Sequence, residues 1–84
     1  FSNKTLIMFI ISLTYKVSLQ QIDKELNNHV RYLKAQYAAG NFLASGRKVP
    51  RTGGVILSQM KDRIELENVI HKDPFYQNNF ADFL

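Results

Sequence analysis

The chain has 84 residues, 45% hydrophobic and 21% charged, which is enough for one core, excludes a second domain, and lies well away from the polar, charge-rich signature of disorder. It contains no cysteine, which excludes disulfides, thiolate-bound zinc and thiol catalysis together and fits a reducing, cytoplasmic setting. The formal charge of +4 is modest, and because Arg47, Lys48 and Arg51 sit together it points to a local anion site rather than a charged face.

Residues 6–15 (LIMFIISLTY) are β-branched and aromatic, and both alternating sets, Leu6/Met8/Ile10 and Ile7/Phe9/Ile11/Leu13, are apolar. The pattern predicts a strand buried on both faces. This run follows Lys4, leads to no small-residue cleavage site and is far shorter than a bilayer span of about 20 residues, so neither a secretory leader nor a membrane anchor is expected. Ser18 with Gln21 forms a capping box and Gly40 a stop, which predicts a long helix over 19–39. At about 100° per residue, Leu19, Ile22, Leu26, Val30, Leu33 and Tyr37 share one stripe roughly 80° wide, with Asp23, Lys24, Asn27, Arg31 and Lys34 off it. That stripe should pack on a sheet.

Residues 41–45 (NFLAS) and 54–60 (GVILSQM) read as strands, and 46–53 (GRKVPRTG) has the glycine, proline and basic content of an exposed connecting loop. Asp62 with Glu65 starts a shorter helix carrying Leu66, Val69 and Ile70 on one side. It should end near Asp73 and Pro74, since the residue before a proline disfavours the helical region. Residues 75–84 (FYQNNFADFL) predict a turn or short helix and then the beginning of another strand. The order is strand, helix, strand, strand, helix, with a fourth strand begun: an α+β, ferredoxin-like split βαβ in one domain over 1–84. Two helices cover only one face of such a sheet, so a second sheet from a partner copy is the expected cover for the other. A core this small, without disulfides or metal, also favours association.

His29 falls about 20° from Ile22, at the edge of the sheet-facing stripe. It reads either as a half-buried structural histidine or as a general acid or base, because its ordinary titration range lies near working pH. Asp73 reads either as the cap of a following turn, with Pro74 in the first position, or as a carboxylate that orients an imidazole. Spacing leaves both pairs of readings open. His71 lies opposite Leu66 and Val69 and is expected in solvent without a role. Two histidines on helix faces of different character and no cysteine predict no metal site. The segment SGRKVPRTGG, which starts at Ser45, brings Arg47, Lys48 and Arg51 together with glycines that allow close backbone approach, a candidate anion-binding loop or a solvated one. It holds no phosphate-loop or dinucleotide fingerprint, and the aromatic strand motif of RNA-binding modules is missing, so nucleic acid is not an expected partner.

A strand followed by a helix bearing HVRYL at His29, Gly40 eleven residues on, ASG ending at Gly46, and DPF at Asp73 to Phe75 together resemble the YciI-like (YCII-related) family of the dimeric α+β barrel superfamily. The resemblance implies a ferredoxin-like fold, a homodimer with its sheets face to face, and an active site pairing a histidine with an aspartate, to which His29 and Asp73 correspond. It implies no cofactor, and chemistry like that of a dehydrochlorinase-type lyase or isomerase on a hydroxylated ring. The cyclohydrolase label of some relatives would need zinc ligands that this chain lacks. Two departures stand out: Arg47 occupies a position where many members have proline, and the family's final edge strand is only begun before Leu84, so the native chain is expected to continue. The expected function is that of a cofactor-independent acid–base enzyme on a small anionic or phenolic metabolite, with Ser45, Arg47 and Arg51 holding the substrate. The alternative is a non-catalytic small-ligand-binding or dimerisation module.

Overall fold

Each longer helix begins where a side-chain oxygen takes the unpaired amides of its first turn. Ser18 Oγ accepts from the Gln21 N–H at 3.3 Å, and Asp62 Oδ1 accepts from the Ile64 and Glu65 N–H groups at 2.8 and 3.4 Å. In the computed structural model, which describes residues 8–84, these caps open α1 (Leu19–Ala38) and α2 (Arg63–Ile70), and Asp73 opens the one-turn α3 (Pro74–Gln77). The strands are β1 (Phe9–Tyr15), β2 (Phe42–Arg47), β3 (Gly53–Ser58) and β4 (Ala81–Phe83). They pair antiparallel in one sheet of order β2-β3-β1-β4. The α1 connection from β1 to β2 thus leaves a lane that β3 fills, which is the ferredoxin-like α+β arrangement.

Ile11 and Leu13 of β1, Phe42 of β2 and Ile56 of β3 meet Ile22, Leu66, Ile70 and Phe75 from the helices in a single core. The helices cover that face of the sheet and no other. On the opposite face Ile10 is 65% exposed and Met8 49%, so within one chain β1 is buried on one face, not two. The reason is the strand's alternation: each residue next to a core residue points away from every helix. Leu6 and Ile7, which also entered the two-sided pattern, lie outside the described residues.

Strand pairing runs further into the basic segment than its composition suggests. Arg47 pairs with Gly54 and Thr14 with Gly53, leaving only residues 48–52 as the connection. Ladder hydrogen bonds override the poor strand preference of glycine there. The second helix closes at Ile70, short of Asp73, whose extended backbone (φ −65°, ψ 128°) restarts the chain as α3. The expected fourth strand is present as β4, and just beyond it Ser12 and Leu84 exchange backbone hydrogen bonds of 3.1 and 2.8 Å. Among the described residues no helix is long and apolar enough to cross a membrane.

Candidate active site

On α1 only Ile22 and His29 are buried, while Leu19, Val30 and Tyr37 of the expected stripe stay partly open. The packed face is therefore centred near His29 rather than bordered by it, because Tyr32, on its far side, also packs inward. The helix delivers the imidazole to α3, where Asp73 serves as cap. Asp73 Oδ1 accepts from the Phe75 N–H at 2.9 Å and from His29 Nδ1 at 2.8 Å, so one oxygen ends a turn and holds a ring. The two side chains are 0% and 11% exposed. An ionised carboxylate only accepts, so His29 donates from Nδ1, and in the neutral ring Nε2 then carries the lone pair. Phe75 stacks on the imidazole with centroids 4.1 Å apart and planes 9° from parallel, which fixes the ring's orientation. The other carboxylate oxygen, Oδ2, is buried and takes no hydrogen bond among the described residues.

Tyr32 forms the neighbouring wall. Its ring lies 6.4 Å from that of His29, and its hydroxyl donates to the Val69 carbonyl at 2.8 Å. Burial first, and then the Asp73 carboxylate, push the Tyr32 phenol above the usual tyrosine range. It therefore stands beside the pair as a neutral group.

His29 lines a cavity of about 150 Å³ between α1 and the helix-facing side of the sheet. Leu13, Leu26, Leu33 and Ile56 make its walls apolar, and Ser45 and Arg47 bring polar groups from β2. Ser45 is hydrogen-bonded to the Tyr37 hydroxyl, which ties the mouth of the cavity to the end of α1. Arg47 makes no ion pair among the described residues. Arg51 is not part of the cavity wall: its Nη2 lies 2.5 Å from Asp23 Oδ1, which pins the 48–52 connection to α1. The structure thus brings His29, Asp73, Ser45 and Arg47 to one place and leaves Arg51 outside it. His71 is exposed and stacks on Tyr76 at 4.4 Å. Among the described residues no group of three or more histidine or acidic side chains is placed to hold a metal ion.

A second cavity of about 270 Å³ lies between β1, α2 and β4, and its charged groups, Arg63 and Glu67, neutralise each other at 3.3 Å. Of these two cavities, the smaller is the one that combines apolar walls, a titratable ring and a cation unpaired among the described residues. Sequence reasoning missed Tyr32, Tyr37 and Phe75 as parts of the site. Tyr32 was accessible in principle, three residues after His29 on the same side of a helix. Nothing in the chain signals that Tyr37 meets Ser45.

A ferredoxin-like α+β domain with a buried histidine–aspartate pair at the wall of a small apolar cavity defines a class of compact pocket proteins. The family model of the YCII-related domain matches residues 7–83, and the chain belongs to that family. Among solved structures it is similar to 5-chloro-2-hydroxyhydroquinone dehydrochlorinase from Burkholderia phenoliruptrix in complex with 2,5-dihydroxybenzoquinone, with a TM-score of 0.79. That match is 18% identical and covers 93% of this chain and 89% of the other, so the likeness carries the fold alone. No protein of curated function matches the sequence.

Proposed function

We propose that this protein is a cofactor-independent acid–base catalyst of lyase or isomerase type, acting as a homodimer on a small anionic or phenolic ring compound. The observation that carries this reading is the 2.8 Å hydrogen bond from His29 Nδ1 to the fully buried Asp73. It holds one ring nitrogen as a donor and leaves the other as the base. In the proposed step Nε2 takes a proton from an acidic C–H or phenolic O–H of the substrate. The electron pair left on the substrate either shifts and is reprotonated at another atom by the imidazolium, or expels a leaving anion. While the ring is cationic, the Asp73 carboxylate against it lowers its energy. Arg47, unpaired among the described residues and on the cavity wall, would hold the anionic end.

Size supports the ring class, since an apolar cavity of about 150 Å³ accommodates a benzene-sized molecule. The similar dehydrochlorinase binds 2,5-dihydroxybenzoquinone, a compound on that scale. The homodimer is supported by the apolar side chains that the helices leave open on the far face of the sheet.

The test is turnover of 5-chloro-2-hydroxyhydroquinone, followed as chloride release, with binding of 2,5-dihydroxybenzoquinone measured in parallel. The parent protein should release chloride, and His29→Ala should lose roughly a hundredfold or more of that rate, the usual weight of a general base. Arg47→Ala should weaken binding while keeping the fold. Binding without turnover in the parent, or full turnover in His29→Ala, overturns the catalytic reading; the first result favours a ligand-binding module.

A further inference from the structure

The side of the sheet away from the helices carries the residues that alternate with the core: Ile10, Ser12 and Thr14 on β1, Val55 and Leu57 on β3, and Asp82 on β4. One polar line crosses this otherwise apolar and hydroxyl surface. Lys48 Nζ donates to Ser12 Oγ at 2.8 Å and to Thr14 Oγ1 at 3.5 Å. Thr14 stands opposite Asp82 in the ladder, and Asp82 Oδ1 lies 3.4 Å from Lys16 Nζ. Lys48 is half-buried and has no carboxylate partner among the described residues. Asp82 contacts Lys16 through one oxygen only, and its side chain is 61% exposed.

The acidic residues are sharply divided between the two sides. Of the seven in the chain, Asp23, Glu25, Glu65 and Glu67 stand on α1 and α2, and Asp62 and Asp73 cap α2 and α3. Asp82 alone is on the open face of the sheet. An ammonium covered by a partner needs an acceptor, or its desolvation works against the contact. If the cover is a second copy applying this same face, Asp82 is the one carboxylate it can offer. A two-fold interface makes the exchange reciprocal, because residue i meets j wherever j meets i.

We propose that, in the dimer formed through this open face, each copy's Lys48 meets the other copy's Asp82 across the two-fold axis. The pairing rests on the homodimer reading above. Ile10, Val55 and Leu57 provide the buried apolar area, which by itself tolerates many registers, and the Lys48–Asp82 exchange selects one of them.

The experiment is sedimentation velocity over a concentration series on the parent, Lys48→Glu, Asp82→Lys and an equimolar mixture of the two variants. The parent should be dimeric. Each variant alone places like charges together twice and should dimerise at least about tenfold more weakly. The mixture should recover dimers, because a heterodimer restores both opposite-charge contacts. Circular dichroism checks folding, and should a charge reversal unfold the chain, Lys48→Met and Asp82→Asn replace the pair, each expected to weaken the dimer without rescue on mixing. A parent that stays monomeric overturns the homodimer reading itself. A dimeric parent whose variants associate equally well, or charge-reversed variants that do not recover on mixing, overturn the Lys48–Asp82 pairing and leave the homodimer standing.

Discussion

Asp73 shows how one side chain satisfies two demands that look like alternatives in the sequence. As a cap it was legible from Pro74; as a histidine partner it was offered by the family resemblance and not by spacing, because the 44-residue separation from His29 carries no spatial information until β1, α1 and α3 are packed. The structure puts both roles on Oδ1. Asparagine caps about as well as aspartate, so Asp73→Asn should cost less than about 1 kcal/mol in urea unfolding. The same change removes the carboxylate facing the imidazole. Nitrogen NMR of His29 should then show Nδ1–H less populated than in the parent, together with a fall in turnover. An unchanged tautomer would reduce Asp73 to a helix cap. Tyr32 gives a second residue-scale expectation. Its folded phenol ionises above the unfolded one, so over that alkaline window the unfolded chain binds fewer protons and stability falls as pH rises. Tyr32→Phe loses the bond to Val69 and should be less stable near pH 8 by about 1 kcal/mol. Its deficit should narrow above pH 10 in the same urea series. A gap constant with pH would mean that Tyr32 is not held neutral.

At the scale of elements, periodicity located what local chemistry dominates and lost what pairing dominates. α1 appears where Ser18 and Gly40 bracket an apolar stripe, and β1 where residues 6–15 are β-branched. The basic segment misled because glycine reads as loop, and Gly53 is in fact a strand residue in tight contact. A Cβ built there would sit 1.8 Å from the Leu13 carbonyl oxygen, whereas one at Gly46 meets nothing within 4 Å. That carbonyl is backbone of the neighbouring strand and has no rotamer by which to retreat. Gly53→Ala should therefore force β1 and β3 apart and destabilise by about 3 kcal/mol or more, the size expected of serious overpacking. Gly46→Ala should stay within about 0.5 kcal/mol of the parent. Thermal unfolding of the two variants separates a glycine needed for strand contact from one that is not. Comparable melting temperatures would contradict the register Thr14 to Gly53. Composition groups Arg51 with Arg47, and could not show that its partner Asp23 lies on a different element.

For the whole molecule, the sheet separates two unlike faces. The helix side holds the histidine–aspartate pair and the cavity, and the open side holds exposed Ile10 and Met8 with Lys48 and Asp82 between the strands. A single core of 84 residues leaves little net stability, so association is expected to contribute much of it. For a dimer that dissociates on unfolding, each tenfold rise in protein concentration adds about 1.4 kcal/mol per dimer to apparent stability. The melting temperature should therefore climb with concentration. Ile10→Lys places a charge at the centre of the open face and should both lower the melting temperature and abolish its concentration dependence. Because Ile10 points away from α1, the hydrogen bond between His29 and Asp73 should survive in that variant for as long as it stays folded, and the nitrogen shifts of His29 should match the parent's. A melting temperature independent of concentration in the parent would show that the helix-side core alone sustains the fold. Altered His29 shifts in folded Ile10→Lys would show instead that the two faces are coupled through β1, with the partner helping to shape the cavity from behind.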